Sequence, residues 1–326
     1  MKFRNILLTV LVFALLFAAA TTADAVIRMR YGHEASEGHP YDYAAHVFAR
    51  ELYRLTNGEI VVEIFANGTL GNQAQMVESL TMGLIDFAST NTVVYEQLDP
   101  RFGVLTTPML FRDYDTALRV LRGPIGEEFK AMVLPHGVKI LEWLYMGSNF
   151  WNGNFPISHP DDMVGRRIRI QPGRSHTALG HVLNIIITPT SFGEVYAAMQ
   201  LGTIESNLQT KMNVFGMRFY EVAPYLSTFE IAHFVQPMSM SLTTWNRLSP
   251  AHQEAVLEAA RITRDAQYVF SKEYNERNMR YMVEEGGLIL VDGDIEVWRT
   301  ALQPMFEALS DWAYYYDKIK AYQDAL

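Results

Sequence analysis

The firmest constraint on the fold is a change of hydrophobic period early in the chain. Ile27, Met29 and Tyr31 alternate with Arg28 and Arg30, the period of a half-buried strand. Past the turn Gly32-His33-Glu34, the apolar residues Ala44, Val47, Phe48, Leu52 and Leu55 recur at helical spacing, and Gly58 stands where such a helix would be capped. Glu59 to Phe65 is rich in β-branched residues and predicts a second strand. Asn67-Gly68 marks a turn, and Met76 to Met82 predicts a second helix. Leu84 to Ala88 predicts a short third strand running into Ser89-Thr90-Asn91-Thr92. Strand, helix, strand, helix, strand is an α/β pattern.

A second set of elements follows. Lys139 to Tyr145 and Arg167 to Ile170 read as strands, and Thr177 to Leu183 as a helix. Ser191 precedes Glu194 by three residues, just ahead of Val195, Tyr196, Ala197, Ala198 and Met199, which is a capping-box signature closed by Gly202. Ser249-Pro250 opens a long helix that runs to about Glu285. Ile295 to Tyr322 is helical and aromatic-rich. No repeat, low-complexity stretch or linker interrupts the chain. The reading is a two-lobed α/β protein whose chain crosses between lobes more than once.

The first 25 residues form a separate object. Lys2 and Arg4 make a basic start, Ile6 to Ala20 is an apolar run with one Thr, and Ala23-Asp24-Ala25 is a small-x-small cleavage pattern. The run is shorter than the roughly 20 apolar residues that span a bilayer. No Cys follows it, so a lipid anchor is not expected, and no later segment is apolar enough to span. The mature chain would be residues 26–326. A hydrophobic fraction of 49% supplies ample core without disulfides, and the chain has no cysteine. A net charge of −9 with no basic stretch argues against nucleic acid as a partner. An exported, acidic, cysteine-free chain of this size suits a bacterial periplasm.

No nucleophile elbow, His-Glu-x-x-His motif or phosphate-cradling glycine loop is present. The nine histidines do not fall at metal-ligand spacing; His176 and His181, five apart, would face different sides of a helix. No metal or cofactor is expected, and the histidines read as structural or surface groups. His33 is set apart because it ends the first strand, where α/β proteins place ligand contacts. The most informative stretch is Gly165-Arg166-Arg167-Ile168-Arg169-Ile170-Gln171-Pro172. On a strand, Ile168 and Ile170 face one side while Arg167 and Arg169 face the other. A buried Arg needs an anion, and its planar fork can hold a carboxylate with two parallel hydrogen bonds. Taken alone, the cluster reads more readily as an exposed, solvated group.

Several ordered motifs alter that balance. Gly165-Arg-Arg-Ile-Arg-Ile, the run from Thr188 to Gly202, and Arg218-Phe219-Tyr220-Glu221-Val222 resemble the extracytoplasmic solute receptors of TRAP transporters, the DctP-type family. Asn67-Gly68-Thr69-Leu70-Gly71-Asn72, Gly83-Leu84-Ile85-Asp86-Phe87, Phe102-Gly103-Val104-Leu105 and Pro108-Met109-Leu110-Phe111-Arg112-Asp113-Tyr114 resemble the family's N-terminal motifs, so the likeness covers essentially all of residues 26–326. It implies a two-lobed periplasmic binding protein with a ligand cleft between the lobes and a long helix spanning them. Lobe I would hold residues 26–146 and about 235–274; lobe II would hold 147–234 and about 275–326. It implies that Arg169 pairs with a ligand carboxylate. It further implies a small organic acid as ligand, ion-gradient-driven TRAP permease subunits as membrane partner, a monomer, and no chemistry of its own.

Two departures bear on the ligand. Asn149 stands where sialic-acid-type members resemble each other in a second Arg, and Gln209 stands where a ligand-contacting Asn is common. Both point away from a standard dicarboxylate or sialic acid. Asn91, Trp151 and Phe229 complete the candidate set, with Phe150, Trp151, Phe229 and Phe234 readable either as walls for a sugar or as core. The rival readings are a secreted α/β hydrolase-like enzyme, and a receptor serving a sensor or an ABC-type transporter.

Overall fold

The computed structural model describes residues 26–326. The expected signal peptide, 1–25, lies outside the described residues. Ten strands join in one sheet: β1 (Ile27–Gly32), β2 (Ile60–Phe65), β3 (Phe87–Ser89), β4 (Val138–Gly153), β5 (Arg167–Arg169), β6 (Ile186–Ile187), β7 (Ser206–Thr210), β8 (Tyr225–Ser227), β9 (Ala232–Ser241) and β10 (Ile289–Val291). The order is β2-β1-β3-β9-β4-β7-β5-β6, with β8 joined to β4 and β10 to β8. β1 runs parallel to β2 and β3, while β5 runs parallel to β6 and β7. Two parallel groups are thus joined through the antiparallel strands β4 and β9.

β4 is the spine of this arrangement. Val138 to Asn149 pairs with β9, and Asn149 to Gly153 with β7. The register shifts between Ile140 and Glu142 and again between Tyr145 and Ser148. Gly147 sits in the second shift at φ +91°, a left-handed conformation open to glycine and costly for a side-chain-bearing residue. The backbone there is satisfied from outside the sheet. Tyr145 N donates to Gln267 Oε1 at 2.9 Å, and Gln267 Nε2 donates to the Tyr145 carbonyl at 2.7 Å.

Gln267 belongs to the helix Pro250–Glu284, which packs on both halves of the sheet. Its 35 residues make it roughly 50 Å long at about 1.5 Å per residue. Near its start, Val256, Ala259 and Ala260 pack with Met29, Phe48, Leu52 and Phe87. Near its end, Met282 packs with Phe150, Val214, Leu226 and Leu288. The helix starts where the sequence places it: Ser249 caps it by accepting from His252 N at 3.1 Å, and Pro250 takes the first turn.

Four expectations need correction. β3 begins at Phe87 rather than Leu84, because Asp86 accepts from Arg30 N and Thr244 Oγ1 at 2.8 Å each, leaving Leu84 exposed. β4 runs on past Tyr145 to Gly153. Ser191 and Glu194 do not form a capping box: the hydroxyl donates to the Glu194 side chain at 2.5 Å, and no backbone N–H is capped. The last helix, Ala313–Asp324, does not belong with residues 147–234. Trp312 covers Gly103, where a Cβ would come within 2.2 Å of the ring. Gln323 accepts from Arg112 N at 3.0 Å, and Lys318 pairs with Glu128 at 2.5 Å.

The cap of the long helix offers a test of this packing. Ser249→Ala removes a cap worth about 1 kcal/mol, so the urea midpoint should fall, while Ser249→Asp should hold it. An unchanged midpoint in Ser249→Ala would show that the cap contributes nothing.

Candidate ligand-binding cleft

The ends of the parallel strands meet at the crossing of β4 and β9. After β1 the chain turns through Glu34 and Ala35, and after β3 it delivers Asn91. From the opposite side β5 leads into Ile170 and Gln171, and β7 supplies Leu208 and Gln209. The crossing strands add Met146 and Asn149 from β4, and Phe234 and Gln236 from β9. These groups line a hollow whose empty space, its open mouth included, is about 570 Å³. Open α/β sheets place ligands in this position, beyond the carboxyl ends of their strands. The hollow shares Glu34, Gln73, Gln171 and Phe192 with a second of about 740 Å³, whose wall includes Arg169, Thr190 and Glu194.

Among the described residues, Arg169 is the one Lys or Arg in the walls of the pair of hollows. Arg167 shares its face of β5 but is exposed and pairs with Glu205 at 3.4 Å, whereas Arg169 is 3% exposed. The only hydrogen bond of the Arg169 side chain among the described residues runs from Nε to the Thr190 carbonyl, at 3.0 Å. Its two terminal amino groups have no protein carboxylate as partner among the described residues. Burial pulls its pKa down to about 10, with the Glu34 charge opposing. It stays a cation near neutral pH. Burial raises the pKa of Glu34, and a Gln73 hydrogen bond and the Arg169 charge oppose that rise.

Around this cation the cleft is built from carboxamides. Asn91 Nδ2 donates to Gln171 Oε1 at 2.7 Å, a bond between the two parallel groups of the sheet. Gln209 Oε1 accepts from Asn213 Nδ2 at 2.9 Å. Asn213 Oδ1 lies 3.1 Å from His39 Nε2, while His39 Nδ1 accepts from Tyr41 N at 3.2 Å. Burial pulls the His39 pKa down to about 3, so the ring is neutral and donates from Nε2.

Of the seven candidates from sequence, Arg169, Asn91, Asn149 and Gln209 line the two hollows. His33, Trp151 and Phe229 do not. The His33 ring is fully buried, with Nε2 3.3 Å from Asp42 Oδ1, facing the start of helix Pro40–Leu55. The next residue, Glu34, takes the place in the cleft that His33 was expected to have. Trp151 and Phe229 both pack on Trp298, with ring centroids 5.9 and 5.3 Å away. They are core because Trp298 arrives from the C-terminal segment, which their own stretches of sequence do not reveal. Phe234, by contrast, lines the cleft. Sequence reasoning passed over Glu34, Gln73, Gln171, His176, Phe192 and Gln236. His176 was set aside on metal-ligand spacing. The usable signal was its place in the first turn of the helix that follows β5.

A cleft at the junction of two α/β halves, with one buried cation and a wall of carboxamides, defines a two-lobed solute-binding protein. Residues 31–311 match the DctP family, bacterial extracellular solute-binding protein family 7, and the chain belongs to that family. It is 28% identical over 303 residues, 93% of this chain and 92% of the other, to the 2,3-diketo-L-gulonate-binding periplasmic protein YiaO of Escherichia coli. It is 26% identical to the C4-dicarboxylate-binding periplasmic protein DctP of Vibrio cholerae, over 89% of this chain and 88% of that one. A TRAP periplasmic solute binding protein from Roseobacter denitrificans, solved with bound β-D-glucuronate, superposes with a TM-score of 0.85 at 27% identity, covering 90% of this chain and 99% of that chain.

A buried cation with the Glu34 charge nearby, but no carboxylate hydrogen-bonded to it among the described residues, should be destabilising when no ligand is bound. Replacing even a buried ion pair by apolar residues of similar volume is often stabilising by about 1–4 kcal/mol. Arg169→Met should therefore raise the denaturation midpoint of the ligand-free protein. A lowered midpoint would mean that protein groups already satisfy the guanidinium.

Proposed function

We propose that this protein captures a sugar acid in the periplasm, holds its carboxylate on Arg169, and passes it to TRAP permease subunits without chemistry of its own. The observation that carries this reading is the buried Arg169 guanidinium with no protein carboxylate paired to it. A ligand carboxylate supplies the missing anion through two parallel hydrogen bonds, a geometry that an ammonium cannot reproduce. The names of the E. coli relative and of the glucuronate-bound neighbour support a sugar acid. The relatives' periplasmic location and the sequence of residues 1–25 support export, and among the described residues no helix is long and apolar enough to cross a membrane. The protein acts as a monomer, and nucleic acid is not a partner.

In this reading lobe I is residues 26–146 with about 235–274, and lobe II is 147–234 with the chain from about 275, the last helix apart. The irregularity at Tyr145–Ser148 in β4 serves as the hinge, and closure over the ligand excludes water from the ion pair. Asn91, Asn149 and Gln209 then contact the ligand from both sides.

Two measurements test the proposal. The first is calorimetry on the mature chain with the best ligand from a thermal-shift panel of uronates, aldonates, sialic acids and dicarboxylates. Removing one partner of a buried, hydrogen-bonded charge pair costs about 2–5 kcal/mol, and each 1.4 kcal/mol is about tenfold. Arg169→Ala should weaken binding roughly 30-fold to several thousand-fold. Arg169→Lys should also bind poorly. Arg166→Ala should bind like the unmodified protein, since Arg166 is exposed and paired with Glu205 at 3.1 Å. Full affinity in Arg169→Ala would refute the anchor. The second is X-ray scattering, in which saturating ligand should reduce the radius of gyration. An unchanged radius would count against lobe closure.

A further inference from the structure

Four side-chain atoms of residues that line the inner hollow have no partner. Tyr41 Oη, Asn149 Nδ2, His176 Nδ1 and Gln236 Oε1 are buried without a hydrogen bond, and all four residues line the same space. Each residue is at most 6% exposed. Two neighbouring groups are already committed, Gln209 Oε1 to Asn213 and Asn91 Nδ2 to Gln171. Buried polar groups left unpaired are costly, and four sharing one cavity point to a single ligand that satisfies them together.

The chemistry of the four groups describes that ligand. Asn149 Nδ2 can only donate, so it needs an oxygen. Gln236 Oε1 can only accept, so it needs an O–H or N–H. The His176 ring stands edge-on to Phe234, with centroids 5.6 Å apart. Burial, then the nearby Arg169 charge, pulls its pKa down to about 4, with the Gln171 backbone opposing, so the ring is neutral near neutral pH. A neutral imidazole has one N–H and one bare nitrogen, so the His176 ring can give a hydrogen bond or take one, as the Tyr41 hydroxyl can. One donor, one acceptor and two groups able to do either match hydroxyl groups, each of which gives and takes a hydrogen bond.

Charge points the same way. Among the described residues, no Lys or Arg lines the inner hollow, and its one acidic wall group is Glu34. A second carboxylate placed there would face the Gln236 carbonyl and Glu34, with only neutral donors such as the Asn149 amide and the Tyr41 hydroxyl, and no cation, to receive it.

We propose that His176, Asn149 and Gln236 are the specificity-determining residues of the site, and that they admit the hydroxylated end of a monocarboxylate while rejecting a second carboxylate. This rests on Arg169 holding the first carboxylate. An aldonate or uronate then binds, and the aldarate of the same carbon skeleton, which differs only in carrying a carboxylate at both ends, does not.

The test is calorimetry on the mature chain with matched sets: gluconate, glucuronate and glucarate; galactonate, galacturonate and galactarate; and succinate and malate as short dicarboxylates. The tightest ligand should be a hydroxylated monocarboxylate, and its aldarate should bind at least 100-fold more weakly. Asn149→Arg should shrink that gap to within tenfold by adding the missing cation. His176→Leu should weaken the preferred monocarboxylate at least tenfold, and His176→Gln, which restores an acceptor, should recover part of the loss. Thermal melts confirm that each variant is folded; if His176→Leu does not fold, the Asn149→Arg comparison decides. An aldarate or short dicarboxylate binding as tightly as any monocarboxylate would overturn the proposal, as would a panel in which nothing binds. If such a diacid still requires Arg169, the carboxylate anchor stands and only the inner reader fails. If Arg169→Ala binds it equally well, the anchor itself is wrong.

Discussion

The arrangement depends on one desolvated guanidinium. Arg169 sits at the end of a three-residue strand, almost wholly buried, fixed through Nε to the Thr190 carbonyl and otherwise unsatisfied by protein groups. Removing a cation from water is costly, and in the proposed reading this guanidinium is held for the carboxylate of a ligand. The surrounding construction is compatible with that proposal. β5 is short, flanked by β6 and β7, and ends where Gln171 bonds Asn91 of the opposite half. The anchor therefore stands at the seam between the halves, where a bound carboxylate would join them.

The seam depends on β4 and the long helix. A single strand that pairs with β9 along its first part and β7 along its last part gives both halves a common member. The register of that strand shifts between Ile140 and Glu142 and again around Gly147, and at the second shift the buried Gln267 amide takes up the Tyr145 backbone groups. A hinge at this satisfied irregularity, as proposed, would leave the packed cores on either side intact. The same helix that supplies Gln267 is anchored in both cores, through Ala259 at one end and Met282 at the other.

Much of this was legible in the sequence, for identifiable reasons. β1 was visible because one side of it is exposed, so Arg28 and Arg30 alternate with Met29 and Tyr31. The second part of β4 was not visible because residues 143–153 are buried throughout, which erases any alternation. Arg169 was singled out by its motif, while Asn149 and Gln209 were found as departures from family positions; all three stand in the walls of the two hollows. Trp151 and Phe229 read equally as wall or core in sequence, and it is Trp298, far along the chain, that takes both rings into the core. His33 missed the cleft by one residue, since the turn after β1 directs Glu34 inward and His33 toward Asp42. His176 was passed over because its environment, an apolar ring on one side and a buried cation on the other, is made by tertiary packing alone.

The most direct measurement is a crystal structure of the mature chain with its preferred acid bound. The account predicts the ligand carboxylate on the two terminal nitrogens of Arg169, each bond about 2.7–2.9 Å as in charge-assisted pairs, with the rest of the ligand directed toward Asn149 and Gln236. A carboxylate seated elsewhere, with Arg169 still bonded only to Thr190, would contradict it.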